Sequence, residues 1–414
     1  MKAPVAFTYA NFRWLVSGTT TSALGNAITP VALAFAVLDL GGSATQLGLV
    51  EAAYATTLVL TTLFGGVLGD RVPRAVMMQG SALGASLTQA FIAASLIGGW
   101  SSVWLLGAVG MLNGSLSALS GPSSAAMIRQ AVPEDVLPSA VVLRRLLQNT
   151  AMIAGFAGAG MLVAVADSGW AFALDAATFA FAACCFHHLD VAPLPTSEDQ
   201  RSLLGDLGEG AREVTRHTWL WMLILQATLY HLFYGGVQAV LGPIEVLAKW
   251  NEAAWGWALA ALMVGFMAGG LVSLRFRPRR VLFVGTLFLA LTACFPAAIA
   301  FGDSLTVLLL GAFLHGLGLE IFSVNWDLSI QQNITPDKLA RVYSFDLMGS
   351  FVARPVGLAF VGPVSAVVGV TEWLWVCVLI MAGGSLAAAA LPSVRRLERL
   401  PTDANEVEAA PATL

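Results

Sequence analysis

The chain has 414 residues, 57% of them hydrophobic and 11% charged, with a net charge of −4 and a mean hydropathy of +0.77. Soluble domains carry about a quarter charged residues, and a fold in water has nowhere to hide this much apolar surface. Composition therefore excludes a water-soluble globular protein and points to a bilayer, where about 20 apolar residues make one spanning helix.

Apolar runs bounded by Gly, Pro and charged clusters predict twelve helices. The first, 12–38, is too long for the apolar region of a signal peptide and carries Ser22 and Asn26 on one face. The second and third, 45–69 and 74–98, flank GGVLGDRVPRAVMM, where Asp70, Arg71 and Arg74 interrupt the apolar run just after Gly65, Gly66 and Gly69. The fourth, 102–129, sets Asn113, Ser117 and Ser120 on one face. The fifth and sixth, 139–166 and 170–190, complete a first bundle over 1–190. A polar linker, 191–216, follows, and its SLLGDLGEGAREV portion reads as a helix lying on the membrane surface.

The seventh helix, 217–243, repeats a polar tip every fourth residue, at Gln226, Tyr230, Tyr234 and Gln238, with His231 alongside. A four-residue step advances about 40° around a helix, so these residues form one slowly winding stripe. The eighth and ninth helices span 253–275 and 279–300. In the tenth, 304–332, His315 and Glu320 lie roughly 16 and 24 Å from its outer end. The eleventh, 338–368, holds Arg354 with Asp346 two turns earlier, and the twelfth, 371–391, completes a second bundle over 217–391 before a tail, 392–414.

Of 21 Lys and Arg residues, only Lys249 falls in an odd-numbered turn and only Arg354 lies deep in a helix; the rest lie at the N-terminus, near even-numbered turns or in the tail. This asymmetry places both termini in the cytoplasm. The halves also repeat each other, IRQAVPEDVLPSA after the fourth helix matching QQNITPDKLARVYS after the tenth. Two parallel six-helix repeats are a secondary-transporter architecture.

On these residues the chain resembles the major facilitator superfamily. Gly66-x-x-x-Asp70-Arg71-x-x-Arg74 is similar to that superfamily's signature loop, with Pro73 and Ala75 replacing its usual Gly and basic residue. FRWLVSGTTTSALGNAI, SGPSSAAMIRQAVPEDVLPSA and TPDKLARVYS resemble bacterial exporters of the macrolide-efflux and enterobactin-exporter type. The resemblance implies an all-α fold of twelve spanning helices, with proton-coupled export of small amphipathic compounds from a bacterial inner membrane. It also implies a gate in which Asp70 faces a helix end of the opposite half while Gly66, Arg71 and Arg74 shape the hairpin.

Polar groups in a bilayer tend to face a cavity or one another. Asn26, Asn113, Gln226, Tyr230, His231, Tyr234 and Gln238 are therefore candidates to line a substrate cavity, the alternative being hydrogen bonds between helices. Glu320, His315, Arg354 and Asp346 are candidates for proton coupling. Glu320 leads, because a carboxyl that moves between dry and wet surroundings can load and release a proton. Arg354 needs an acid or a hydrated cavity, with Asp346 and Glu320 as possible partners. Glu51 and Asp175 lie nearer the outer surface and are lesser candidates.

The four cysteines all fall in apolar segments and read as packing residues, and no nucleotide loop, HExxH or GxSxG pattern occurs. The expected partners are a small-molecule substrate, protons and lipid. No metal, cofactor, ATP or nucleic acid is expected, no enzymatic activity, and the protein is expected to be a monomer. Uptake of a small polar nutrient is the alternative within this fold; a sensor or scaffold without flux is a third reading.

Overall fold

Single residues make the turns. Asp167 takes a φ of +77°, and its carboxylate accepts from the N–H groups of Gly169 (2.8 Å) and Trp170 (3.4 Å). One residue thus ends α5 (Leu137–Ala166) and caps α6 (Ser168–His187). In this computed structural model, which describes residues 5–69, 72–191 and 203–399, α1 (Ala10–Asp39), α2 (Ala44–Gly69), α3 (Arg74–Ile97) and α4 (Val103–Ala131) precede them. After α7 (Leu203–Arg216), α8 (Thr218–Gly236) passes through a π-turn into α9 (Gly242–Lys249). Then follow α10 (Glu252–Arg275), α11 (Val281–Leu289) with α12 (Cys294–Phe301), α13 (Leu305–Asn333), α14 (Pro336–Phe351) with α15 (Ala353–Val368), and α16 (Val370–Ala390).

Eleven described segments are long and apolar enough to cross a membrane, and the 26-residue α2 occupies the remaining place in the twelve-helix order. No strand occurs among the described residues. Three spans are composite because proline lacks an N–H and deprives the carbonyl four residues earlier of its helical partner. Pro243, Pro296 and Pro355 so free the carbonyls of Ala239, Thr292 and Phe351, and each lies just beyond the irregular segment of its span.

Glycines let the two bundles meet backbone to backbone. A Cβ on Gly160 would come within 2.7 Å of the Glu252 carbonyl and 3.0 Å of the Gly256 Cα, where α5 crosses α10. At Gly362 a Cβ would sit 2.5 Å from Thr45, where α15 crosses α2. Both crossings lie towards the odd-numbered turns. There the apolar core is continuous between halves, joining Val31, Phe35 and Phe172 to Val240, Trp255 and Phe295. Towards the even-numbered turns it divides into two separate clusters. One holds Phe12, Met78, Met127 and Phe186; the other holds Leu220, Leu282, Trp326 and Ile330. Among the described residues the buried apolar core therefore joins the halves at one end and divides at the other.

Of the signature loop, Asp70 and Arg71 lie outside the described residues, Gly66 falls in the last turns of α2, and Arg74 opens α3. The linker helix has a protein partner. Rather than resting on lipid alone, α7 docks on the start of α14, burying Val214 and stacking Gly210 on the Arg341 carbonyl. Glu213 accepts from Lys338 Nζ at 2.9 Å and from Arg216 at 3.1 Å.

Replacing Gly256 by Leu should wedge α5 from α10 and lengthen the distance between spin labels at the exposed Val165 and Phe301, measured by pulsed electron resonance. The hydrogen bond from the Lys338 ammonium, chiefly, holds the Glu213 carboxyl below the usual carboxylate range. That contact therefore stabilises α7 docking at neutral pH and is lost as pH falls through the lowered value. Faster amide exchange in α7 is expected in Lys338→Met at neutral pH, with the difference from the parent shrinking in acid.

Candidate functional site

Three neighbouring cavities, or lobes, lie in the interior, adjacent ones sharing lining residues. The first, about 300 Å³, belongs to the first half and is lined by Ser22, Asn26, Ser117, Ser120, Arg144 and Gln148. The second, about 280 Å³, shares Asn26 with the first and reaches Thr29, Glu51, Gln89, Asn113 and Arg354. The third, about 180 Å³, shares Arg354 and belongs to the second half, with Tyr230, His231, Tyr234, Gln238 and His315. Asn26 and Arg354 are thus shared walls, Asn26 between the first two cavities and Arg354 between cavities of opposite bundles.

Helix chemistry explains several positions. Pro30 cannot donate to the Asn26 carbonyl, so both the backbone and the side chain of Asn26 are polar where the first two lobes join. Arg354 stands beside the proline-induced break between α14 and α15, its stem packed on Gly235 of α8.

In the second half, Pro296 frees the Thr292 carbonyl, and His315 Nδ1 meets it at 2.7 Å. A carbonyl only accepts, so Nδ1 carries the proton. In the neutral ring Nε2 then accepts from the Tyr230 hydroxyl at 2.8 Å. Tyr234 lies tilted against the same imidazole with centroids 4.3 Å apart, and its buried hydroxyl has no hydrogen-bond partner among the described residues. His231 Nδ1 is likewise tied to the Ala227 carbonyl at 2.8 Å. An apolar wall with an unpaired hydroxyl and a nearby guanidinium suits a ligand with an apolar body and a polar tip.

In the first half, Asp175 is fully buried, and Oδ2 accepts from Thr29 Oγ1 at 2.6 Å and Gln89 Nε2 at 2.7 Å. Gln89 Oε1 accepts from Asn113 Nδ2 at 3.2 Å, and Asn113 Oδ1 from Thr88 Oγ1 at 2.7 Å. Gly25 makes room: a Cβ there would meet Asp175 Oδ1 and Thr178 Oγ1, each at 2.5 Å.

Other candidates lie elsewhere. Gln226 does not line the described lobes; it turns to α16, donating to Ser385 Oγ at 3.3 Å, because the stripe winds away from the cavity towards that end of α8. Asp346 accepts from Trp326 Nε1 at 3.0 Å and Ser350 Oγ at 3.3 Å rather than pairing with Arg354. No acid lies within 4.0 Å of Arg354 among the described residues, and Glu51 faces it across the second lobe. Glu320 packs on Gly269 and Gly270 of α10, and Arg145 of the opposite half is the base whose charge reaches it. Sequence reasoning missed Thr29, Thr88, Gln89 and Arg144. Thr29 lies three residues after Asn26 on a helical face, a readable signal; Arg144 reads as a helix-end topology charge.

No cluster of three or more His, Cys, Asp or Glu side chains suited to a metal occurs among the described residues.

The transmembrane secretion effector family profile matches residues 2–279. The multidrug efflux pump Tap of Mycobacterium tuberculosis is 27% identical over 403 residues, covering 94% of each chain. Macrolide efflux protein A of Streptococcus pyogenes is 22% identical over 412 residues, covering 94% of this chain and 97% of its own. Among solved structures, the nucleoside transporter NupG superposes with a TM-score of 0.70 at 13% identity, covering 92% of this chain and 97% of its own.

Tyr230→Phe leaves His315 Nε2 buried without its donor. It should cost about 1–3 kcal/mol of stability, read as a lower melting temperature in detergent.

Proposed function

We propose that this chain, which belongs to the transmembrane secretion effector family and has the twelve-helix major facilitator fold, exports small amphipathic compounds by proton antiport. Its membership makes it a multi-pass bacterial membrane transporter rather than an enzyme. The direction and the coupling are our reading. The observation that carries it is the shared wall: Arg354 lines a cavity of each half, beneath an apolar core that joins the halves at one end and divides at the other.

Taking the Lys- and Arg-rich end as cytoplasmic, with both termini there, this is the inward-open state. A substrate with an apolar body enters between the parted ends and rests against Tyr230, His231, Tyr234 and Gln238 on one side and Asn26 and Asn113 on the other. Rocking the halves closes the even-turn ends and opens the α5–α10 and α2–α15 crossings. Asp70, in the loop with Arg71 and Arg74, latches the closed inner end. Glu320 changes neighbours in the same motion, because Arg145 belongs to the other half. The efflux relatives support export of drug-like compounds and a role in drug resistance.

Everted vesicles test this. A macrolide antibiotic should accumulate when the lumen is acid and stop when the gradient is collapsed; accumulation indifferent to the gradient would overturn antiport. Tyr234→Ala should change the ranking of a compound panel, and Glu320→Gln should lower gradient-driven accumulation severalfold with normal expression.

A further inference from the structure

We propose that Asp175 is a second proton-binding site, in the first half, reached from the substrate cavity through the Thr29 hydroxyl; this rests on the antiport reading. A fully buried carboxylate in a bilayer interior is costly unless a cation pairs with it. None does. Among the described residues no Lys, Arg or His comes within 4.0 Å of Asp175. The groups facing it are neutral: Thr29 and Gly25 from α1, Gln89 from α3, and Thr178 from its own helix. Tyr54 of α2, Glu51 and Arg354 line the second lobe, behind which Asp175 sits, and Arg144 of α5 opens onto the neighbouring lobe.

The network serves both protonation states. With Asp175 ionised, donors run in one direction towards it: Thr88 to Asn113, Asn113 to Gln89, and Gln89 with Thr29 to Oδ2. With Asp175 protonated, the new O–H on Oδ2 donates to Thr29 Oγ1 across the same 2.6 Å. The Thr29 hydroxyl then turns to the Gly25 carbonyl, 3.4 Å away. One O–H bond forms, one proton leaves the solvent of the cavity, and nothing else is made or broken. Gln89 still reaches Thr29 Oγ1 at 3.0 Å.

Thr29 and Gln89 line the second lobe while Asp175 sits one hydrogen bond behind it. Asn113, on the same wall, holds the other end of Gln89. Loading the carboxyl therefore loosens the donors that a bound substrate touches. This gives proton and substrate a shared set of hydrogen bonds, which is what exchange of one for the other requires.

Infrared difference spectra of the purified protein, taken against pH, test the site without a substrate. The parent protein should show a protonated-carboxyl stretch that is lost as pH rises, absent in Asp175→Asn and retained in Glu320→Gln. Thr29→Val should shift that band upward in frequency, since the carboxyl loses its partner. Persistence of the full band set in Asp175→Asn, or an unshifted band in Thr29→Val, overturns the proposal. In everted vesicles, gradient-driven macrolide accumulation by Asp175→Asn should fall to the collapsed-gradient level; accumulation at the parent's level overturns the proposal. If the band belongs to Asp175 but the parent protein ignores the gradient, the antiport reading falls and the proton site stands.

Discussion

The contact on which the rest depends is the backbone crossing of α5 and α10. Gly160 and Gly256 bring two helices from opposite bundles to van der Waals contact, with no side chain between them. In a bilayer there is little hydrophobic drive for helices to associate, so close packing of small residues supplies the attraction. The second crossing, at Gly48 and Gly362 between α2 and α15, repeats it on the other side of the molecule. Such contacts are strong at one separation and vanish at a slightly larger one. That makes the closed end a state with a definite geometry rather than a gradual constriction, as two-state rocking needs.

Closure at one end decides where polar groups can sit. Beneath the fused core, each unsatisfied group costs several kcal/mol, and the two halves meet this cost differently. The second half uses proline: Pro296 exposes a carbonyl, and His315 and Tyr230 complete a chain from backbone to cavity. The first half uses a carboxyl fed by hydroxyl and amide donors, with Gly25 supplying the room. The halves share a topology but not an interior chemistry, which gives the passage a rigid aromatic wall on one side and an adjustable polar wall on the other.

Much of the architecture was legible in the residues. Twelve apolar runs and the distribution of Lys and Arg fix the helix count, because each helix must reach across the hydrocarbon and each basic cluster marks a boundary. The cavity was only partly legible. A four-residue period in α8 identifies a stripe but not the point at which it winds out of the lobe, so Tyr230, Tyr234 and Gln238 face it while Gln226 serves α16. Arg354 stands out as a lone interior base, but the acid that shares its cavity is Glu51 of the opposite half, a juxtaposition no spacing within one helix reveals. Asp175 reads from the sequence as a lesser candidate because it lies nearer the outer surface; its hydrogen-bond setting comes from Thr29 and Gln89, which are 146 and 86 residues away in sequence.

Arg354 shows why the two halves need each other. On its own bundle it has no acid partner within ion-pair distance among the described residues, and its charge is tolerated because two lobes converge on it. Glu51 of α2 lines the same cavity, beyond ion-pair distance, so the two groups face one volume rather than each other's atoms. That volume takes one polar wall from each half, beside the α2–α15 crossing at Gly48 and Gly362. A polar ligand group placed there meets a group from each bundle at once, which contacts within a single bundle do not offer.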